Sequence, residues 1–176
     1  FDGAAGNIDI ATPPDLGTAF SFEFIVQADS WVTSTYKYLI DLFGSSPVGR
    51  FIIGSSNLPG AGLSIYDTTG FIPFNASPLE DLKVHHIVVT VDGTTAVLYD
   101  NGNQVSSITI SASHGIDDCT DAFIGSDYLG TNQFFNGTFY RARFWNKTLT
   151  AAEVTASYEN ATVPFSDQYS STASPL

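Results

Sequence analysis

The chain has 176 residues, of which 43% are hydrophobic and only 14% are charged. A composition this apolar excludes intrinsic disorder, and no apolar run reaches the ~18 residues that a membrane-spanning helix needs. Six Lys and Arg against 18 Asp and Glu give a net charge of −12, which excludes nucleic acid and anionic membrane surfaces as partners because both would repel the chain.

Alternation of apolar and polar residues predicts β-strands along most of the chain. In the first strong segment, 19–27, Phe20, Phe22, Phe24 and Val26 share one face. Further strands are predicted at 36–43, 50–54, 62–66, 85–91, 96–99, 105–110, 122–125 and 134–145. These nine segments belong to a total of about eleven short strands separated by turn residues, which is typical of an all-β, two-sheet antiparallel β-sandwich.

Two local signals refine this layout. Asn101-Gly102 predicts a two-residue hairpin, because both positions tolerate positive φ. Thr150 followed three residues later by Glu153 predicts a capping box, and with it one short helix from Ala151 to about Tyr158.

One domain is predicted, and it covers residues 1–162. Residues 163–176 are rich in Ser, Thr and Pro and lack a hydrophobic period, so they are interpreted as a tail or linker. The chain starts at Phe1 with no Met or signal peptide, so we expect it to be a piece of a longer protein.

Five short segments occur in a fixed order. They are Phe1-Asp2-Gly3 with Asn7-Ile8-Asp9-Ile10, HIVVTVDG at 86–93, LYDNG at 98–102, Ile124-Gly125, and 135–154 with Gly137, Arg143, Leu149, Thr150 and Glu153. Together they resemble the laminin G-like domains of the concanavalin A-like lectin and glucanase jelly-roll superfamily. This resemblance spans residues 1 to about 158. It implies two antiparallel sheets packed face to face, with loops at one rim that bind ligands.

The resemblance also bears on catalysis, since some folds of this type are glucanases. Those enzymes carry E-x-D-x-x-E on one strand, so that two carboxylates flank the scissile bond. None of the four glutamates begins that pattern; they are Glu23, Glu80, Glu153 and Glu159. His85 and His86 are adjacent in a strand and point to opposite faces, so they cannot share a metal or a substrate. We therefore expect no enzymatic activity.

Calcium is the one candidate cofactor. The resemblance implies an Asp that helps to hold a structural calcium ion, but Tyr140 occupies that position here. Asp117, Asp118 and Asp121 concentrate carboxylates in one loop, and carboxylate oxygens suit Ca²⁺. The alternative interpretation is a solvated acidic loop without a metal.

A candidate glycan site lies close to this acidic loop. Carbohydrate sites combine an aromatic ring with side chains that hydrogen-bond hydroxyl groups. Asp127, Tyr128, Asn132 and Gln133 provide that combination, with packing as the alternative explanation for each of them.

A separate interaction face is predicted in the strand at 134–145. Arg141, Arg143 and Trp145 share parity, so they form a stripe on the outer face of a sheet. Two interpretations stay open at this point: local pairing with the chain's own acids, or docking to an acidic neighbour such as another copy of the chain.

Four N-x-[ST] sequons favour a secreted glycoprotein that is extracellular or on a cell or virion surface. The candidate glycosylated residues are Asn75, Asn136, Asn146 and Asn160. A chance origin in a Thr-rich chain is the alternative.

These observations favour an extracellular recognition module that binds a glycan or an extracellular protein, as part of a larger surface or matrix protein. One alternative is a structural subunit of an extracellular filament or viral particle, with self-association. A second is the accessory domain of a carbohydrate-active enzyme.

Overall fold

The computed structural model describes residues 1–13, 16–31, 35–44, 50–57, 62–111 and 119–162. Within these ranges the strands are β1 (Ile8–Ile10), β2 (Ala19–Ala28), β3 (Lys37–Gly44), β4 (Arg50–Ser55), β5 (Leu63–Asp67), β6 (Gly70–Pro73), β7 (Val84–Asp92), β8 (Thr95–Asp100), β9 (Asn103–Thr109), β10 (Cys119–Ile124) and β11 (Gly137–Trp145). A 3-10 turn covers Pro78–Asp81, and the helix α1 covers Ala151–Thr162.

The strands form two antiparallel sheets, which confirms the predicted sandwich. One sheet has six strands in the order β1-β10-β3-β4-β5-β6, and the other has five in the order β11-β2-β7-β8-β9. The central pairings join segments that are far apart in sequence, such as β10 with β3 and β11 with β2.

The core lies between the sheets and is rich in phenylalanine. The predicted apolar face of β2 supplies Phe20, Phe22 and Phe24, whose side chains are fully buried. The rings of Phe20 and Phe22 lie 5.5 and 6.0 Å from the ring of Phe51 on β4 in the other sheet. Such aromatic pairs add to the free energy gained by burying apolar area.

Helix α1 packs on the outer face of the five-stranded sheet. Val154 on the helix and Leu149 before it contact Val88 and Tyr99 in a second, smaller apolar cluster. The capping box is confirmed, since the backbone N–H of Thr150 donates to Glu153 at 2.8 Å. The helix ends at Thr162, four residues beyond the predicted end.

Several turns follow the sequence, and others do not. The hairpin at Asn101-Gly102 is confirmed, with φ of 49° and 80°. The sequence did not predict β6 or the 3-10 turn, because both are short and carry no clear period. β6 is half-buried throughout, and in the 3-10 turn only Leu79 is buried. The predicted tail at 163–176 lies outside the described residues. None of the described helices has the length and apolarity needed to cross a membrane.

Candidate functional site

A pocket of about 550 Å³ opens at one end of the six-stranded sheet. The start of β3 lies there beside the ends of β4 and β10, because these neighbouring strands run antiparallel. The polar and aromatic side chains around it come from three separate segments of the chain. We call it the rim pocket and define it by Tyr36, Lys37, Asn57, Asn132, Gln133 and Phe134.

One buried carboxylate holds the loop that carries two of these residues. The side chain of Asp127 is buried and accepts hydrogen bonds from the backbone N–H groups of Thr131 and Asn132, at 2.9 and 3.0 Å. The backbone N–H of Tyr38 donates to the carbonyl of Gln133 at 3.2 Å and ties the loop to β3. These bonds fix the backbone that carries the amide side chains of Asn132 and Gln133.

An aromatic surface continues from the rim pocket across the outer face of the six-stranded sheet. Tyr36 lines the pocket, and its ring lies 5.2 Å from that of Phe71. The Phe71 ring in turn lies 5.1 Å from Tyr66 and 6.3 Å from Tyr38. We call these four rings the tyrosine face. All but Tyr38 are half-buried, so they present ring surface to solvent.

An arginine–aspartate pair lies beside the tyrosine face. The Arg50 guanidinium donates two hydrogen bonds to the buried Asp41 carboxylate, at 2.6 and 3.0 Å. Burial raises the pKa of the Asp41 carboxyl, and the bonds from Arg50 oppose that shift. The guanidinium also lies 4.7 Å from the centre of the Tyr128 ring. This pair fixes Arg50 as a cation at the surface.

The four predicted ligand residues therefore lie in different places. Asn132 and Gln133 line the rim pocket. Asp127 is buried beneath the loop, and Tyr128 stacks on Phe43 with ring centres 4.2 Å apart. Asp127 thus holds the loop, and Tyr128 lies beside Arg50.

Lys37 and Asn57 line the rim pocket but were not predicted as site residues. Neither lies in a motif, and they come together only through the antiparallel order of β3, β4 and β10. Tyr36 is the first residue of the predicted strand 36–43, but it reaches the pocket only because of the same strand order.

The predicted stripe on β11 surrounds a buried glutamate. Arg141 donates to Glu23 at 2.5 Å, the Trp145 indole donates at 3.3 Å, and Arg143 lies 3.9 Å away. These three side chains follow the β-bulge between Phe139 and Arg141, so the bulge does not interrupt the parity they share. Local pairing with the chain's own acids therefore accounts for Arg141, and docking at this face stays a prediction.

Further contacts make Glu23 the centre of a network. His86 Nε2 lies 3.2 Å from its carboxylate, and the Ser157 hydroxyl donates to it at 2.9 Å. Burial alone would raise the pKa of Glu23, but these hydrogen bonds and the charge of Arg141 lower it to about 2.

The second histidine lies between two other carboxylates. His85 Nδ1 is 2.7 Å from Asp100 and Nε2 is 2.8 Å from Asp81. The hydrogen bond with Asp100 is the main cause that raises the pKa of His85, against the effect of burial. The two histidines have separate partners, as their opposite directions predict.

The described residues do not fit a calcium site. Among them there is no group of three His, Cys, Asp or Glu side chains that could hold an ion. Asp121 accepts a hydrogen bond from the neighbouring Thr120 hydroxyl at 2.8 Å. Asp117 and Asp118 lie outside the described residues, so the predicted calcium site stays a prediction.

The four sequon asparagines differ in exposure. Asn75, Asn146 and Asn160 are exposed. Asn136 is half-buried, and its amide nitrogen donates to the Ser30 hydroxyl at 3.1 Å. The first three are the residues that a glycosylating enzyme could reach.

A two-sheet sandwich with a ligand-sized pocket at one rim defines a lectin-like β-sandwich domain. Residues 2–155 match a laminin G family model described as the concanavalin A-like lectin/glucanases superfamily. The chain belongs to this superfamily. A comparison with curated proteins gives no match.

Solved structures with the same fold come from several bacterial proteins. The NanB sialidase from Streptococcus pneumoniae has a TM-score of 0.63 and 17% identity over 86% of this chain, which spans only 26% of that sialidase. The CBM40 of the Ruminococcus gnavus IT-sialidase, bound to α2,3-sialyllactose, has a TM-score of 0.61 and 14% identity over 80% of this chain and 83% of its own.

A third structure is the binding domain of botulinum neurotoxin DC in complex with rat synaptotagmin II. It has a TM-score of 0.62 and 11% identity over 89% of this chain and 40% of its own. Identities this low show that the fold is shared and leave the ligand to be argued from the site.

Proposed function

We propose that this chain is a non-catalytic carbohydrate-binding module whose ligand occupies the rim pocket. The observation that carries the proposal is the set of side chains that meet there. The amides of Asn57, Asn132 and Gln133 and the ammonium of Lys37 can hydrogen-bond sugar hydroxyls, and Tyr36 offers a ring face for a pyranose. The tyrosine face extends this surface for a longer glycan.

Two features support a module without catalysis. A glycosidase needs a general acid whose pKa is raised toward the working pH. The pKa of Glu23 is instead lowered to about 2, and so is that of Glu153. Burial raises the pKa of the Asp41 carboxyl, but that group is buried and accepts two hydrogen bonds from Arg50, so it is not free to protonate a glycosidic oxygen. Two structural relatives are described as a CBM40 with sialyllactose and a toxin binding domain, which supports a role in binding glycans or proteins.

The finer assignment is an extracellular recognition module, on a cell, virion or matrix surface. The exposed sequons at Asn75, Asn146 and Asn160 support this location. The accessory domain of a carbohydrate-active enzyme is the second candidate, favoured because the aligned region makes up only 26% of a matching sialidase.

A glycan-array screen of the purified domain, with calcium and again with EDTA, tests the proposal. We expect binding that is weakened about fivefold by Asn132→Ala, because one hydrogen bond contributes about 1 kcal/mol. Asn103→Ala is the matched control, since Asn103 is also exposed, lies on an edge strand of the other sheet and makes one local amide bond. No binding in either buffer would contradict the proposal, and loss with EDTA alone would assign a calcium ion to the site.

A further inference from the structure

A second concave site lies on the opposite sheet, between β11 and helix α1. It has a volume of about 460 Å³, and Glu23 lies beneath it. We call it the helix groove and define it by Arg141, Arg143, Trp145, Lys147, Ser157 and Asn160. It is separate from the rim pocket, which lies on the six-stranded sheet.

The helix groove concentrates positive charge in an acidic chain. Arg141, Arg143 and Lys147 are three of only six Lys and Arg residues in a chain of net charge −12. Glu23 and Glu153 are the carboxylates that pair with them. Three cations against two carboxylates leave one positive charge at the groove, which would attract an anion locally although the chain as a whole is acidic.

The donors are not used equally by the chain itself. Arg141 is committed to Glu23, and Lys147 pairs with Glu153 at the surface. The Arg143 side chain is 47% exposed, and its closest approach to Glu23 is 3.9 Å, beyond hydrogen-bond distance. Its fork of N–H groups is therefore available to a carboxylate in the groove.

The other walls suit a sugar ring better than a peptide segment. Trp145 offers an indole beside the arginines, and Ser157, whose hydroxyl donates to Glu23, lines the helix side of the groove. A volume of about 460 Å³ accommodates one or two sugar residues, whereas an acidic peptide would need a longer groove with several apolar anchors.

We propose that the helix groove binds an acidic sugar residue, with Arg143 and Lys147 on its carboxylate and Trp145 against its ring. The site is independent of the rim pocket, so the two can fail separately. The carboxylate is what distinguishes this ligand from the sugars that the rim pocket would accept through its amides.

Titration followed by NMR tests the proposal with two matched probes, D-glucuronate and D-glucose, which share a ring and differ in the carboxylate. The chain has two tryptophans, Trp145 at the groove and Trp31 buried in the core. We expect glucuronate to shift the indole N–H signal of Trp145 and leave that of Trp31 unchanged. Glucose should shift neither, and added salt should weaken the glucuronate effect.

Two variants test the cations responsible, and two controls accompany them. Arg143→Gln and Lys147→Gln should each raise the dissociation constant for glucuronate about tenfold, as expected for a lost charge-assisted hydrogen bond. Lys83→Gln changes the net charge equally at an exposed position outside the groove and should leave it unchanged. Asn132→Ala should also leave it unchanged, which separates this site from the rim pocket.

Three results would overturn the proposal. The first is equal response to glucose and glucuronate. The second is equal loss of affinity in Arg143→Gln and Lys83→Gln. The third is binding of a short polyglutamate peptide, but not glucuronate, at Trp145, which would assign the groove to a protein partner.

Discussion

Replacing Glu23 by Gln tests the electrostatic network at the centre of the five-stranded sheet. The substitution keeps the size of the side chain and removes its charge. The pKa of Glu23 lies at about 2 in the folded chain against an ordinary value of 4.5. Because the carboxylate is fully buried, that difference converts to about 3 kcal/mol of folding stability at neutral pH.

The sign of the pH dependence follows from the lowered pKa. The stabilisation is fully present above pH 4.5 and is lost as the pH falls towards 2, where the folded protein also takes up the proton. The free energy of unfolding of Glu23→Gln should therefore be about 3 kcal/mol lower than that of the wild type at pH 7. This difference should narrow as the pH falls from 4.5 to 2.

Urea denaturation followed by far-ultraviolet circular dichroism, across this pH range, measures this difference. Glu80→Gln is the control, since Glu80 is exposed and the substitution should change stability by less than about 0.5 kcal/mol. A difference in the free energy of unfolding below about 0.5 kcal/mol at pH 7 would contradict the stabilising role of the Glu23 charge. A difference that stays constant down to pH 3 would contradict its lowered pKa.

Three further changes are expected to alter stability, each measured by chemical or thermal denaturation. His85→Gln should destabilise the fold below pH 6.5, and the difference should disappear as the pH rises through the raised pKa of His85, where the charged bond to Asp100 is lost in the wild type too; a gap that grows with pH would contradict this. Gly137→Ala should cost more than about 2 kcal/mol, because φ is +151° and a Cβ there would meet the Gln27 carbonyl at 2.1 Å; wild-type stability would refute the close approach. Val154→Ala should cost about 2 kcal/mol by removing the buried contact of α1 with the sheet; an unchanged Tm would show that the helix is not packed there.

The fold could be predicted because its signals are local and repeated. The alternation around Phe22 and Phe24 specifies a strand with one apolar face, and the Thr150–Glu153 pair specifies where the helix starts. The burial of Glu23 could not be predicted in the same way. Its position on the polar face of β2 is readable from the sequence, but its cover comes from β11 and α1, more than a hundred residues away.

Only some residues of the rim pocket could be predicted from the sequence. Asn132 and Gln133 were predicted because they follow an acidic, polar loop. Lys37 and Asn57 join them only because antiparallel pairing places the start of β3 beside the end of β4. Asp127 was predicted as a ligand-binding residue, but its carboxylate binds backbone N–H groups of its own loop. The sequence does not distinguish these two uses of an aspartate in a loop.

NMR mapping of the glycan that binds best on the array tests whether a carbohydrate occupies the rim pocket. We expect backbone amide shifts concentrated at Lys37, Asn57, Asn132 and Gln133. Half-saturation of these shifts should need about fivefold more glycan in Asn132→Ala and an unchanged concentration in Asn103→Ala. Shifts confined to other parts of the chain, with these four signals unchanged at saturation, would contradict it.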